Sequence, residues 1–444
     1  MQLYDTIFLF VFLPLFMGIY ALLSERKRPW LIAAANIFFI FLGSRFGIVV
    51  FALLTVLSYF SAIAIYNYRT NEKKRFARKL IFTLNILLCV VVLLFLAKDA
   101  FFNITSLNMF AVFGGAVVPL HIISYLIDVY RGDCEAQTNL FSLTAYTGFF
   151  PSLTLGPVMK YKNFKESFSA PKISHEKIAA GIRIYILGLA EYVIIGCRLT
   201  DIWNKEILNA QAADFGLMTA LLSALIYYVG FCVNVMGLVA MGQGIAVMLG
   251  FAVKPCFSRR FLTDSLYKRI KGFNSPLYSW LNDYICKPIN GGSGEFSFLP
   301  FVAAVCLAAL WYDFSASWLI AAFLAAGIVF LQRLAKKKSK TKHKFIASLL
   351  TSISAALLFA VCALSKLNID SLSNLSLFAV TQSENDYLSY LFSVSAAVTL
   401  IGFVVISPLP NLIFKRMDYT WVRIAMPAFE IILVVLSAAF MING

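Results

Sequence analysis

Apolar runs of about 20 residues recur along this chain, and they restrict its fold more than any other feature. Leu3–Leu23, Ile48–Tyr66, Leu80–Leu96, Met109–Val129, Ile178–Cys197, Phe345–Leu364, Tyr390–Ile406 and Val422–Met441 are all of this kind. A helix of about 20 apolar residues crosses a bilayer. Charged residues make up only 14% of the 444, and hydrophobic ones 60%. A soluble protein carries about 25% charged residues. No polar stretch is long enough to build a soluble domain. The class is an all-α polytopic membrane protein, with residues 1–444 as a single membrane-embedded domain.

The net charge of +16 sits in short clusters between the runs, the pattern of cytoplasmic loops facing anionic lipid and not of a nucleic-acid surface. Met1–Leu23 reads as a span and not as a cleavable leader, because its first basic cluster, Glu25–Arg28, follows the apolar run. Placing Met1 outside puts Glu25–Arg28, Arg69–Lys79, Arg131, Lys160–Lys165, Lys254–Lys271, Arg333–Lys344 and Lys415–Arg416 all inside. Both termini are then extracytoplasmic in a multi-pass protein of the cell membrane. The turn at Tyr312–Asp313 lies toward the outer face. None of the eight cysteines has a paired spacing such as CxxC, so no disulfide framework is implied.

Two stretches break the pattern. Asn139–Pro157 contains AYTGFFPSLTLGP, whose prolines and glycines exclude one straight helix and predict a broken or re-entrant segment. Leu217–Phe251 is longer than one crossing and glycine-rich, which predicts a tilted or broken helix. With the first counted as re-entrant, the chain makes about twelve crossings. Between Arg259 and Asp313 lies a basic, aromatic and amide-bearing stretch, RRFLTDSLYKRIKGFNSPLYSWLNDYICKPINGG, followed by FLPFVAAVCLAALWYD. Lipid satisfies no polar group, so these residues must face protein or water.

Chemistry-bearing residues are few. His343 sits in a basic loop and His175 in a helix-starting turn. His121 lies inside a span, in PLHIISY. An ionisable residue there is a site candidate, set against a single hydrogen bond to a neighbouring helix. Asp128 and Arg131, at i and i+3, predict a local ion pair. Asn234 lies among small residues that permit close helix approach. Asn274-Ser275-Pro276 reads as an N-cap followed by proline in the first turn, and Trp280, Asp283 and Tyr284 continue that helix on one face with Asn274. Metal-ligand clusters, a GxSxG elbow and a phosphate loop are all missing from the sequence. No internal repeat is visible, which weighs against a secondary transporter.

SYLIDVYRG, FFPSLTLGPVMKYKNF, MLGF, YSWLNDYICKPINGG and ALWYDFSASW occur in the order and spacing of bacterial membrane-bound O-acyltransferases. The chain resembles the alginate O-acetylation branch, and more distantly the D-alanyl transfer proteins, over a core of roughly residues 119–327. Residues 1–118 and 328–444 are peripheral helices. The resemblance implies helices around a central tunnel, with an acyl donor reaching it from the cytoplasm. That donor would be an acyl-CoA or an acyl-carrier thioester, with no bound cofactor or metal. It also implies membrane lipid around the chain and a secreted or periplasmic acyl-transfer partner. The catalytic positions fall on Tyr312 and Asn274. Trp311, Asp313, Trp280, Asp283, Tyr284, Asn234 and His121 are the expected lining of the tunnel.

Within the family motif Leu-Trp-His-Gly, Leu310 and Trp311 match, whereas Tyr312 replaces the histidine and Asp313 the glycine. The Trp-His of the second position falls on Phe273-Asn274. Histidine titrates near ~6.5 and tyrosine near ~10, and burial raises a phenol further. Tyr312 is therefore a poor base for an acceptor hydroxyl. Two readings follow: a membrane O-acyltransferase serving acylation of a cell-surface polysaccharide, or an inactive paralogue acting as scaffold, lipid or acyl-carrier binder, or partner subunit. Transfer of the ordinary, histidine-based kind should be slight or absent. For topology, a cysteine placed at Lys338 should resist a membrane-impermeant thiol reagent in intact cells. Labelling there would overturn the orientation.

Overall fold

The computed structural model describes residues 2–43, 45–102, 116–169, 173–210, 216–257, 265–291, 297–338, 344–366, 382–407 and 419–443. Among these residues every regular element is a helix. Seven helices are long and apolar enough to cross a membrane, among them Gly47–Asn67, His175–Ile207, Leu217–Met248 and Ala316–Leu334. Phe8–Leu22, Arg28–Gly43, Phe298–Tyr312 and Ile353–Leu364 are shorter apolar helices. The expected span Met109–Val129 appears as a helix over Val117–Arg131. Residues 103–115, which include the start of that expected span, lie outside the described residues, as does His343.

The chain forms two compact units. The first comprises Met1–Tyr185, Leu238–Cys256 and Ser279–Tyr284. It contains the proline-broken stretch, which folds as a short helix over Leu140–Thr147, a single 3-10 turn at Phe150–Ser152, and a helix over Tyr161–Ser169. Asn139 caps the first by accepting the amides of Phe141 and Ser142. The irregular backbone between these pieces is buried, and its polar groups find protein partners. Asn36, fully buried, donates to the carbonyls of Thr144 and Ala145 at 3.2 and 3.1 Å and accepts the Phe150 amide at 2.9 Å. Ser152 Oγ donates to Pro157 O at 2.7 Å, and the Tyr146 hydroxyl to Met159 O at 3.0 Å. Rings of Phe8, Phe12, Phe16 and Phe39 surround Phe150. The helix Val117–Arg131 ends at Gly132, whose φ of 82° closes the last turn in the left-handed region that glycine enters without cost.

The second unit comprises Ile186–Gly237, Phe257–Tyr278 and Ile285–Gly444. Two apolar clusters form its core. One gathers Leu199, Trp203, Val229, Val233 and Met236, and the other Phe301, Trp318, Ala322, Val329 and Cys362.

The glycines of Leu217–Met248 do not break that helix. It runs unbroken for 32 residues, about 48 Å, longer than the ~30 Å hydrocarbon layer of a bilayer. Glycine serves close approach instead. A Cβ on Gly237 would meet Gly188 O at 2.6 Å and the backbone of Tyr192 at 2.8 Å. Across this seam the 175–207 run turns π-helical at Glu191–Gly196, and Asn234 Nδ2 donates to Gly196 O at 3.3 Å and to Thr200 Oγ1 at 2.8 Å. In membranes such small-residue contacts hold helices together, because lipid competes for apolar surface.

Gly237→Ala should therefore lower stability by about 1–3 kcal/mol, since backbone and not a flexible side chain must move. Thermal unfolding in detergent would show it, and a wild-type midpoint would refute the seam.

Candidate active site

Asn274 precedes the helix Ser275–Leu281. Its Oδ1 accepts the Leu277 amide at 3.4 Å, three residues on, and its carbonyl accepts the Tyr278 amide at 3.1 Å. Its φ is 52°, left-handed backbone that asparagine tolerates better than most residues. The side chain is buried, and Nδ2 donates to the Tyr312 hydroxyl at 3.1 Å. Capping and contact with Tyr312 use opposite ends of one amide, so the two sequence readings of Asn274 are not alternatives.

Tyr312 ends the helix Phe298–Tyr312. Phe231 meets its ring edge-on at 5.4 Å, Phe273 lies at 6.0 Å and Trp318 at 6.3 Å. Phe231 is the hub, also touching Phe359 at 5.3 Å. The phenol thus stands among aromatic rings with one amide as its polar neighbour. Of the cations close to Asn274 in sequence, Lys268 and Lys271 are exposed, and Arg269 Nη1 donates to Thr351 O at 3.4 Å.

Asp313 behaves differently. The helix stops there, its backbone extended at φ −156°. Its carboxylate accepts from Lys366 Nζ at 2.5 Å, and the ammonium lies 5.5 Å from the centre of the Tyr227 ring. Burial pulls the Lys366 pKa down, but the bond to Asp313 and the neighbouring Tyr227 outweigh it, so the net shift is upward and the ammonium stays charged. Lys366, Phe231, Phe273 and Phe359 were not legible as partners. The phenylalanines lie in sequence rich in apolar residues and carry no signal. Lys366 did carry one: a lone lysine just beyond a span on the face that the positive-inside rule leaves poor in cations.

Asn234 belongs to the same unit but serves the π-helical turn described above. Trp311 Nε1 is buried and has no partner among the described residues.

Four candidates belong to the first unit. His121 is fully buried, with Nδ1 at 3.2 Å from Thr147 O and Nε2 at 3.3 Å from the Met159 amide. The carbonyl can only accept and the amide only donate, so Nδ1 carries the proton and Nε2 its lone pair. Both nitrogens are spent on the two ends of the broken stretch, which makes His121 a brace and not a proton carrier. The Tyr284 hydroxyl donates to both oxygens of Asp128, at 2.9 and 3.1 Å. The expected Asp128–Arg131 pair does not form. Arg131 instead donates to Asp283 O at 3.3 Å and lies over the Tyr284 ring, because the buried phenol offers Asp128 a fixed donor. Asp283 pairs with Lys160, which also donates to Ser279 Oγ at 2.7 Å. Trp280 is buried against Tyr284, ring centres 5.2 Å apart. Among the described residues no group of three or more His, Cys, Asp and Glu could hold a metal.

Residues 47–363 match the family described as MBOAT, membrane-bound O-acyltransferase. The chain belongs to this family. Among curated relatives of this chain, the probable alginate O-acetylase AlgI of Pseudomonas aeruginosa is 28% identical over 337 residues, 71% of this chain and 63% of the relative. That of Azotobacter vinelandii is 28% identical over 339 residues, 71% of this chain and 64% of the relative. The chain spans less than two thirds of the length of these two relatives. The family match extends beyond residues 119–327 on both sides.

His121→Phe should cost about 1–3 kcal/mol for each group it strands, the Met159 amide and the Thr147 carbonyl. Chemical unfolding of the purified protein measures this, and an unchanged midpoint would show that the brace carries no load.

Proposed function

We propose that this protein is a membrane-bound O-acyltransferase serving acetylation of a cell-surface polysaccharide. Membership of the family carries the reading, and its relatives, probable alginate O-acetylases, point to polysaccharide as the acceptor class. In this reading 1–444 is one membrane-embedded domain of the cell membrane. About twelve helices surround a tunnel, and both termini are extracytoplasmic. An acyl-CoA or acyl-carrier thioester approaches from the cytoplasm, and a secreted or periplasmic partner handles the acyl group or acceptor outside. Asn274 and Tyr312 form the reactive centre, with Trp311 and Asp313 beside them in sequence.

Tyr312 at the histidine position is the reason to test the alternative, a partner or scaffold without catalysis. Side-chain acid–base help is worth about 10²–10⁴ in rate. The purified chain should therefore turn over slowly compared with histidine-bearing members. Two measurements separate the readings. Restoring a deletion strain with the wild-type gene should return ester-linked acetate to the surface polysaccharide. Purified protein in nanodiscs, given acetyl-CoA and deacetylated polysaccharide, should release free thiol in step with ester formation. Acetylation restored in cells, with no turnover by purified protein, would mark a scaffold.

A further inference from the structure

The Asn274–Tyr312 contact has a direction. Oδ1 of Asn274 is committed to the Leu277 amide, which can only donate, so Nδ2 faces the phenol. An amide nitrogen of this kind has only hydrogens to offer. The Tyr312 oxygen therefore accepts, and its own O–H proton points elsewhere. No acceptor for that proton exists among the described residues. The surrounding rings of Phe231, Phe273 and Trp318 supply no lone pair to receive it. Tyr312 is half-buried, so a proton with no protein acceptor is left for water or for an acceptor that a ligand brings.

We infer that Tyr312 is not a displaced base but a hydrogen-bond donor to the carbonyl oxygen of a bound acyl thioester, with Asn274 as the residue that positions it. This rests on the reading of the chain as an acyltransferase and gives its site a mechanism that needs no histidine. The acceptor's hydroxyl oxygen bonds to the acyl carbon. The C=O electron pair moves onto oxygen, where the phenol proton meets the developing charge. Collapse of that intermediate breaks the C–S bond, the pair leaves with sulfur, and the acceptor's proton ends on the sulfur. One alcohol and one thioester become one ester and one thiol. A thiol titrates near ~8.5, so the departing thiolate is itself a sufficient sink for the proton. A fixed donor among aromatic walls, where solvent screening is weak, is worth more to that oxyanion than one in water.

Two substitutions test the assignment in the acetyl-CoA assay and in the restored deletion strain. Tyr312→Phe keeps the ring and removes only the proton. It should lower kcat about 10²-fold with little change in KM. Asn274→Asp keeps a cap for Leu277 and a side chain that tolerates the left-handed backbone, but its carboxylate takes the phenol proton for itself. It should lose as much activity as Tyr312→Phe, whereas a merely structural Asn274 would tolerate aspartate. The wild-type rate should stay level between pH 8 and 10, since a donor acts with its proton in place and gains nothing from ionisation. An active wild type matched by Tyr312→Phe, or a rate rising tenfold per pH unit toward pH 10, overturns the donor role alone. A wild type that transfers no acyl group in either assay overturns the acyltransferase reading and the donor role together.

Discussion

Hydrocarbon offers no partner to a peptide N–H or C=O, and the placement of several buried polar side chains among the described residues answers to that constraint. Where the chain is a regular helix, the backbone satisfies itself. Where proline and glycine forbid a helix, between Thr147 and Tyr161, side chains take over. Asn36 covers the carbonyls and amide at the entry, Ser152 closes the turn, and His121 with Tyr146 fastens the exit at Met159. A histidine in a membrane span invites a catalytic reading. Here its two nitrogens are consumed by backbone.

The same constraint shapes the pair Asn274 and Tyr312. Asn274 is first a cap, holding the amide of Leu277 at the start of a short helix. Its backbone is left-handed, and the other end of the amide meets Tyr312. Successive side chains at the end of the helix Phe298–Tyr312 then divide. The phenol goes to Asn274 among aromatic rings, and the next carboxylate goes to Lys366 beside Tyr227. A base at position 312 would need its proton to leave at ordinary pH, which a phenol resists. A donor needs the proton to stay. On the proposed reading, tyrosine at position 312 assists the acyl carbonyl where a histidine would assist the acceptor hydroxyl.

Glycine plays a matching part in packing. Gly237 faces Gly188 and Tyr192, and Gly196 faces Asn234, at separations that leave no room for a Cβ. The approach is close enough for Asn234 to reach a carbonyl of the π-helical turn. Lipid gives apolar helices little reason to associate, so contact of this kind supplies attraction that burial alone would not.

The sequence alone determined the class and the family. Apolar runs of spanning length and a charge content of 14% admit little but membrane helices, and the ordered motifs around Asp128, Pro151, Trp280 and Trp311 carry the resemblance. Local rules also marked the cap at Asn274 and the break before Pro157. The sequence could not decide which polar residues serve the backbone and which remain for chemistry, because that depends on partners 26 to 38 residues away in the chain: His121 with Thr147 and Met159, Asn274 with Tyr312. It also left Leu217–Phe251 between a tilted and a broken helix, since the same glycine that loosens an isolated helix lets two packed helices touch. Hydrogen-bond direction and close approach are properties of pairs. Only the tertiary structure brings the pairs together.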